Sequence, residues 1–145
     1  MTMKLNKRKL LKCLKKLVLK LKAWGGAVMV YDEKKDALLC AASVNIPKDW
    51  AEIENPMGSS SLNEESFTYA SIIKRNDLNL ESLLGTESKH TITAVLIGPI
   101  QKGKKILGTI EILHDEQGKE FTHRDEKLLK EESFSFADCF YTKSK

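Results

Sequence analysis

Hydrophobic and polar positions along the first part of the chain predict one helix followed by two strands. Residues Met3 to Lys22 carry leucines at helical spacing on one stripe, and lysines occupy the rest of the helix surface. The pair Gly25–Gly26 is expected to end this helix, because glycine readily adopts the left-handed conformation of a helix cap. Strands are predicted over residues 27–31 and 37–44. Both are apolar on both faces, as expected of a sheet covered by helices on each side.

The middle of the chain predicts a loop, a helix and a polar connector. Residues 45–60 are irregular and contain two prolines. Ser61 and Glu64 have the Ser-x-x-Glu spacing of a capping box, so a helix is predicted from Ser61 to about Arg75. Residues 76–89 are polar and connect this helix to the second half of the domain.

The last third of the chain predicts a hairpin and a final helix. A strand over Thr91–Ile97 ends at a Gly-Pro pair, and a short basic turn leads into a second strand over Ile106–His114. Thr122 is expected to cap the last helix, which runs from His123 to Tyr141. A compact hairpin that leads into a capped helix is therefore the clearest structural signal in the chain.

The positive charge of the chain is concentrated in its first helix. Of the 24 basic residues, nine lie between Lys4 and Lys22, where there is no acidic residue. From Ala23 onward, 15 basic residues face all 20 acidic ones, so the rest of the chain is mildly acidic. Lysines outnumber arginines by 21 to 3, which disfavours the bidentate readout of phosphates and bases that arginine provides. We therefore predict no nucleic-acid partner.

Length and cysteine content indicate one domain in a reducing compartment. The 145 residues suit a single domain, residues 1–145. Cys13, Cys40 and Cys139 form no C-x-x-C pair, which predicts reduced thiols and a cytoplasmic location. Lysines interrupt every apolar run of the first helix, so no membrane span is predicted. A helix that packs its leucine stripe on a sheet and solvates its lysines is favoured over a helix that lies on a membrane surface. The three histidines lack metal-binding spacing, and no metal site is predicted.

Three segments resemble parts of the GAF domain family. Residues 55–77, NPMGSSSLNEESFTYASIIKRND, resemble the family's glycine and small residues before a helix. Residues 93–113, TAVLIGPIQKGKKILGTIEIL, resemble its apolar strand that ends in Pro-apolar, followed by a glycine-containing return strand. Residues 121–129, FTHRDEKLL, resemble the F-T-x-x-D start of its last helix. The resemblance extends from about Lys9 to Tyr141.

The resemblance implies an α+β fold around a central, mostly antiparallel sheet of five or six strands. The terminal helices are expected on one face of the sheet, and residues 45–89 on the other. The core of the domain would then be residues 25–141, preceded by the basic helix over residues 3–22. The related, profilin-like PAS fold has a similar sheet but lacks this C-terminal ending, so it ranks second.

One ligand-specific branch of the family can be compared residue by residue. GAF domains that bear nucleotide in cyclic-nucleotide phosphodiesterases carry an N-K…F-x-x-x-D-E signature. This chain keeps the second half as Phe121, Asp125 and Glu126, but His114–Asp115 stands at the N-K position. Because the lysine partner for the aspartate is missing, the comparison disfavours a cyclic nucleotide.

A second branch, the free methionine-sulfoxide reductases, consists of catalytic GAF proteins that use cysteines near the pocket. In this chain Cys13 and Cys139 fall in the predicted terminal helices, and only Cys40 lies in the central region. No redox pair that matches the reductases is evident. The cysteine that attaches bilin in phytochrome-like members is also missing.

The resemblance therefore implies a non-catalytic, small-molecule-binding sensor or regulatory domain. Such a domain would act in signal transduction through homodimerisation or through a signalling partner protein. The alternative is a protein-interaction or dimerisation module whose pocket is filled by its own side chains, and an enzyme of the reductase kind ranks third. The sequence identifies neither the small molecule, nor a cofactor, nor the partner.

Ligands in this family sit between the sheet and the mid-chain helix and loops. In this chain the corresponding place would draw on seven residues: Trp50, Ser59, Ser60, Phe67, Tyr69, Thr93 and Glu111. Glu111 is the one acidic residue inside an apolar strand, which fits a pocket anchor, a general base with a raised pKa, or a hydrogen-bonded strand residue near a rim. The start of the mid-chain helix near Ser60 and Ser61 favours an anionic group in the ligand.

A homodimer made by the terminal helices is also predicted. Phe134, Ala137 and Tyr141 follow i, i+3, i+7 spacing on one face of the last helix, and Leu19 is apolar on the far side of the first. Large aromatics left in water would forfeit roughly 1.5–3 kcal/mol each of available burial. The resemblance points the same way, since GAF domains often pair through these helices.

Overall fold

The computed structural model describes residues 3–52, 54–58, 61–78 and 92–142. Its elements in chain order are β1 (Met3–Leu5), α1 (Lys7–Lys20), β2 (Gly25–Asp32), β3 (Ala37–Val44), α2 (Lys48–Ala51), β4 (Asn55–Pro56), α3 (Leu62–Tyr69), β5 (Ile73–Asn76), β6 (Ala94–Lys102), β7 (Lys105–His114), α4 (His123–Ala137) and β8 (Phe140–Thr142).

Six of the strands form one antiparallel sheet. Its order is β4-β3-β2-β7-β6-β5, and every neighbouring pair is antiparallel. The two short terminal strands, β1 and β8, pair with each other in a separate two-stranded sheet. The predicted α+β fold with a central antiparallel sheet of five or six strands is confirmed.

Successive side chains of the central strands point to opposite faces of the sheet. On β6 and β7, Leu96 and Ile112 belong to the apolar cluster that contains α1 and α4. Their neighbours Val95 and Leu113 belong to a different cluster, which contains Trp50 of α2. The period of two along a strand thus separates the domain into two layers of core. The terminal helices cover one face and the mid-chain segment covers the other, as predicted.

Helices α1 and α4 lie side by side on their face of the sheet. Leu10, Leu14 and Leu17 of α1 are buried in one cluster with Leu129 and Phe136 of α4. An ion pair joins Lys20 to Glu132 across the two helices. The leucine stripe that predicted an amphipathic first helix is therefore the surface with which α1 covers the sheet.

Both ends of the domain differ from the prediction. Met3–Leu5 is a strand rather than the start of a helix. The last helix ends at Ala137, before Phe140–Thr142, which is the strand that pairs with Met3–Leu5. Asn6 is the N-cap of α1, since its side chain accepts a hydrogen bond from the Lys9 backbone N–H at 3.1 Å. Pairing of the two ends satisfies backbone groups that an extended helix would have left in water.

The Gly25–Gly26 pair is in β2 and does not cap α1, so this part of the prediction was wrong. The left-handed residue after α1 is Lys22, with φ of 53°. The glycines permit close strand packing instead, because a Cβ on Gly26 would lie 2.7 Å from the carbonyl oxygen of Glu111.

The mid-chain helix begins as predicted and ends earlier. Ser61 caps α3, and its Oγ accepts a hydrogen bond from the Glu64 backbone N–H at 3.1 Å. Ala70 adopts a left-handed conformation with φ of 51°, which stops the helix at Tyr69. Ile73–Asn76 then forms the edge strand β5 against β6, so the helix predicted to about Arg75 was too long.

The hairpin of β6 and β7 is longer than predicted. Strand β6 continues through Pro99 to Lys102, and the turn falls at Gly103, which has φ of 62°. On the side of β5 proline is tolerated at this point, because β5 pairs only with residues 94–97 of β6. Thr122 caps α4 as predicted and forms a capping box with Asp125. Most of the predicted connector over residues 76–89 lies outside the described residues.

Candidate ligand-binding site

A small cavity lies between the sheet and the mid-chain helices. It occupies about 110 Å³ between β2, β3 and β7 on one side and α2 and α3 on the other. The lining is mostly apolar and consists of Ala27, Met29, Cys40, Ile46, Trp50, Ala51, Asn55, Ser61, Leu62, Asn63, Glu111 and Leu113. Its volume matches that of about four water molecules at ~30 Å³ each. The described walls therefore suit a very small ligand.

Side-chain hydrogen bonds connect α3 to β7 at the wall of the cavity. Asn63, in the first turn of α3, donates from Nδ2 to the Glu111 carboxylate over 3.2 Å. Thr109 Oγ, two residues before Glu111 on β7, donates to Asn63 Oδ1 over 2.8 Å. Asn63 and Thr109 are buried. The Asn63 amide therefore has a fixed orientation, with its N–H directed at the carboxylate.

The pKa of the Glu111 carboxyl group is raised at this site. Burial raises its pKa from 4.5 to about 7, while the hydrogen bond from Asn63 favours the ionised form and offsets part of that effect. The group therefore changes protonation near neutral pH. A cation or a hydrogen-bond donor placed in the cavity would favour its ionised form.

Cys40 is the one cysteine that lines this cavity. Its thiol donates to the carbonyl oxygen of Ala42 over 3.4 Å. Burial raises the pKa of the Cys40 thiol, and the nearby Glu111 raises it further. Because the thiolate is the nucleophile, this environment makes Cys40 a poor one.

The seven predicted site residues lie in several different places. Trp50 and Glu111 line the cavity. Phe67 packs beside it and stacks on Tyr31, with ring centroids 5.0 Å apart. Thr93 is buried near the end of β7, where its hydroxyl bonds to the carbonyl oxygens of His114 and Glu116. Tyr69 is 74% exposed and lies outside the cavity.

Two other predicted residues, Ser59 and Ser60, lie outside the described residues. Conversely, the sequence-based choice missed Asn63 and Cys40. A signal for Asn63 was present, since a polar residue in the first turn of a capped helix can reach the sheet below it. No comparable signal marked Cys40, whose neighbours on β3 are all apolar or small.

The residues predicted to form a dimer interface are only partly available at the surface. Leu19 is 78% exposed and Phe134 is 66% exposed. Tyr141 is half-exposed but belongs to β8, so it does not continue a face of the last helix. Ala137 is 6% exposed and packs in the core, because the helix face that carries it turns toward the sheet. The expected continuous apolar seam along one helix face was therefore wrong.

The other two cysteines meet on the far side of the sheet. Cys13 of α1 and Cys139, just after α4, both direct their thiols at the carbonyl oxygen of Ser135, at 3.8 Å and 3.5 Å. Burial and the neighbouring Cys13 raise the pKa of Cys139 to about 12. Sequence spacing could not reveal this pair, because 126 positions of chain separate its members. The pair lies in the terminal-helix cluster, away from the cavity.

The described residues contain neither a metal-binding cluster nor a membrane-spanning helix. In the part of the chain that the structure describes, no three His, Cys, Asp or Glu side chains come together as a group that could hold a metal ion. Of the described helices, none has the length and apolar character needed to cross a bilayer.

Solved structures with a similar architecture include GAF domains and free methionine-R-sulfoxide reductases. The GAF domain from an Acinetobacter phosphoenolpyruvate-protein phosphotransferase superposes with a TM-score of 0.78 at 15% identity, covering 92% of this chain and 80% of that one. The second GAF domain of DevS from Mycobacterium smegmatis gives 0.74 at 11% identity, covering 92% and 91%. A type II free methionine-R-sulfoxide reductase from Thermoplasma acidophilum gives 0.73 at 16% identity, covering 92% and 89%.

These comparisons define a GAF-like fold for the chain. The identities are low, so the likeness establishes the fold rather than an activity. No family model and no curated protein sequence matches the chain.

Proposed function

We propose that this chain is a non-catalytic sensor or regulatory domain that binds a small molecule in the cavity beside Glu111. The observation that supports this is a carboxylate held by Asn63 at the wall of an otherwise largely apolar cavity. Ligand sites commonly combine apolar walls with a few convergent polar groups. Signalling by the bound domain would proceed in the cytoplasm through a second copy or a partner protein.

The chemistry of the cavity favours a ligand with a cationic or hydrogen-bond-donating head. The Glu111 carboxylate offers acceptor oxygens. Among the described residues, the Asn63 side chain donates a hydrogen bond to it. The start of α3 was expected to attract an anion, but Asn63 in its first turn already binds the Glu111 carboxylate. An anionic ligand would have to approach that carboxylate, so we replace the anionic expectation with a donor or cation.

The cysteines support the non-catalytic part of the proposal. Cys40 has a raised pKa at the cavity, and Cys13 and Cys139 lie on the opposite face of the sheet. The structural neighbours include enzymes named as free methionine-R-sulfoxide reductases. A reductase needs a reactive thiol and a partner for it, and the described lining of the cavity contains one thiol, that of the half-buried Cys40.

Mass spectrometry of freshly purified, denatured protein tests the proposal. Wild-type protein is expected to release a low-mass compound at up to one equivalent. Ala51→Leu adds side-chain volume to the cavity wall and is expected to abolish retention. Ala42→Leu is the matched control, because Ala42 packs on the opposite face of the sheet.

The outcomes of this experiment separate the two leading functions. Retention in wild type and Ala42→Leu, with loss in Ala51→Leu, supports the sensor. Equal retention in all three proteins contradicts the proposed site. Release of nothing from wild type favours the interaction module, whose pocket is filled by its own side chains.

Homodimerisation stays a prediction, and the structure offers one surface for it. An open groove of about 780 Å³ lies between α4 and β6, with the exposed Phe134 at its edge and Ala137 in its lining. A second copy that covered Phe134 would bury a large aromatic side chain. Sedimentation at micromolar concentration is expected to show a dimer for wild type and a monomer for Phe134→Lys. A monomeric wild type ends this prediction.

A further inference from the structure

The outer face of α1 combines strong positive charge with one apolar side chain. At about 100° per residue, five residues share an arc of roughly 100° opposite the buried leucine stripe. They are Arg8, Lys12, Lys15, Lys16 and Leu19. All five are exposed, and Leu19 lies near the middle of the arc. We call this surface the basic face.

The charge of the basic face is not neutralised within the domain. Residues 4–22 contain nine basic residues and no acidic one. Among the residues that the structure describes, only Lys20 of this segment has an ion pair, with Glu132. The four cations of the basic face have no ion pair with any described residue. They therefore leave a concentrated positive field at one side of a domain whose remaining sequence is mildly acidic.

Leu19 sets this surface apart from an ordinary solvated lysine face. Its side chain is 78% exposed, the largest exposed fraction among the large apolar side chains of the described residues. Lys12, Lys15 and Lys16 lie on the same face within the two helical turns before it. An apolar side chain beside a group of cations matches a partner that has negative charge at its surface and an apolar layer just beneath.

We propose that the basic face of α1 docks on an anionic lipid membrane surface. The lysines and Arg8 would lie at the lipid headgroups, and Leu19 would reach the boundary of the acyl layer. Clusters of four to eight basic residues on a helix are the usual composition of such surfaces. This docking is peripheral, because the leucine stripe of α1 remains buried against the sheet.

Two other partners fit the basic face less well. A second copy of the chain offers the neighbouring helix α4, whose Glu126 and Glu132 already form ion pairs with Lys74 and Lys20. Asp125 belongs to the capping box, so of the α4 carboxylates Glu131 is left to face four cations. Nucleic acid would match the charge, but the basic face has a single arginine and no aromatic side chain for stacking. Leu19 would also bury no apolar surface against a phosphate backbone.

The position of α1 keeps docking compatible with the cavity. Helices α1 and α4 cover one face of the sheet, and the cavity opens among elements of the other face. A domain that docks through α1 would therefore direct its ligand-binding side away from the membrane. Docking and ligand binding use separate residues and can be tested separately.

Co-sedimentation with vesicles tests the proposal. Wild-type protein is expected to bind phosphatidylcholine vesicles that contain about one-third phosphatidylserine, to ignore pure phosphatidylcholine vesicles, and to dissociate as salt screens the charges. The variant R8Q/K12Q/K15Q/K16Q is expected to bind several hundredfold more weakly, at roughly fivefold for each charge removed. The control K34Q/K48Q/K104Q/K119Q removes the same charge from exposed lysines elsewhere and is expected to retain most binding.

A second variant distinguishes a lipid surface from a purely electrostatic partner. Leu19→Ser is expected to weaken vesicle binding several-fold and to leave binding to a short DNA duplex unchanged. The proposal is overturned by equal binding to charged and uncharged vesicles, by equal losses in the two quadruple variants, or by tighter binding to the duplex than to charged vesicles. Circular dichroism checks that each variant is folded, and Leu19→Ser preserves the test if a quadruple variant is not.

Discussion

Replacing Glu111 with glutamine is expected to stabilise the domain by about 3 kcal/mol at pH 8 and to change its stability little at pH 4. Folding raises the pKa of the Glu111 carboxyl group from 4.5 to about 7. The folded state therefore holds this proton more tightly than the unfolded chain does. Below pH 4.5 both states are protonated, and the stabilising contribution of the neutral group is fully present.

The contribution is lost as pH rises toward 7. Over that interval the unfolded chain releases the proton and the folded domain still binds it, so stability falls by up to ~1.4 kcal/mol per pH unit. Glutamine keeps an acceptor oxygen for the Asn63 N–H and does not titrate. The difference in unfolding free energy between wild type and Glu111→Gln isolates this one group, because the remaining titrating groups are common to both proteins.

Urea unfolding at pH 4, 6 and 8 measures this difference. Glu120→Gln is the matched control, since Glu120 is exposed and its substitution is expected to change the free energy of unfolding by less than about 0.5 kcal/mol. If the difference in unfolding free energy between wild type and Glu111→Gln stays constant from pH 4 to pH 8, Glu111 is not buried beside Asn63. The cavity would then lose the one acidic group among its described lining residues.

Features encoded by a few neighbouring residues were predictable from the sequence. The caps at Ser61 and Thr122 depend on a hydroxyl and on the backbone N–H three residues later, so their spacing alone identified them. The turn at Gly103 likewise follows from local composition. Elements that depend on a distant partner were missed. Met3–Leu5 has the residues of a lysine-rich helix and becomes a strand only because Phe140–Thr142 pairs with it.

The same distinction applies to the candidate site. Trp50 and Glu111 stood out as a large aromatic in a loop and an acid in an apolar strand, and both line the cavity. The direction in which Glu111 points was not predictable, because β7 is apolar on both faces and its alternation does not reveal which face meets α3. Asn63 and Cys40 join the site only through the packing of α3 and β3 around it.

A titration with small molecules tests the chemical preference of the cavity directly. Propylammonium has four non-hydrogen atoms, which suits a cavity of about 110 Å³, and its cationic head complements the Glu111 carboxylate. Propionate has a similar shape and the opposite charge. As a four-atom fragment, propylammonium is expected to bind more weakly than a ligand that is retained through purification, with Kd on the order of millimolar.

Nuclear magnetic resonance spectra of ¹⁵N-labelled protein report binding at the cavity through the Trp50 indole N–H and the Asn63 side-chain amide. At pH 8 we predict that propylammonium shifts both signals, that propionate shifts neither, and that Glu111→Gln weakens the propylammonium response at least tenfold, about 1.4 kcal/mol. Equal responses to both molecules, or an undiminished response in Glu111→Gln, would contradict the assignment of this cavity as a donor- or cation-binding site.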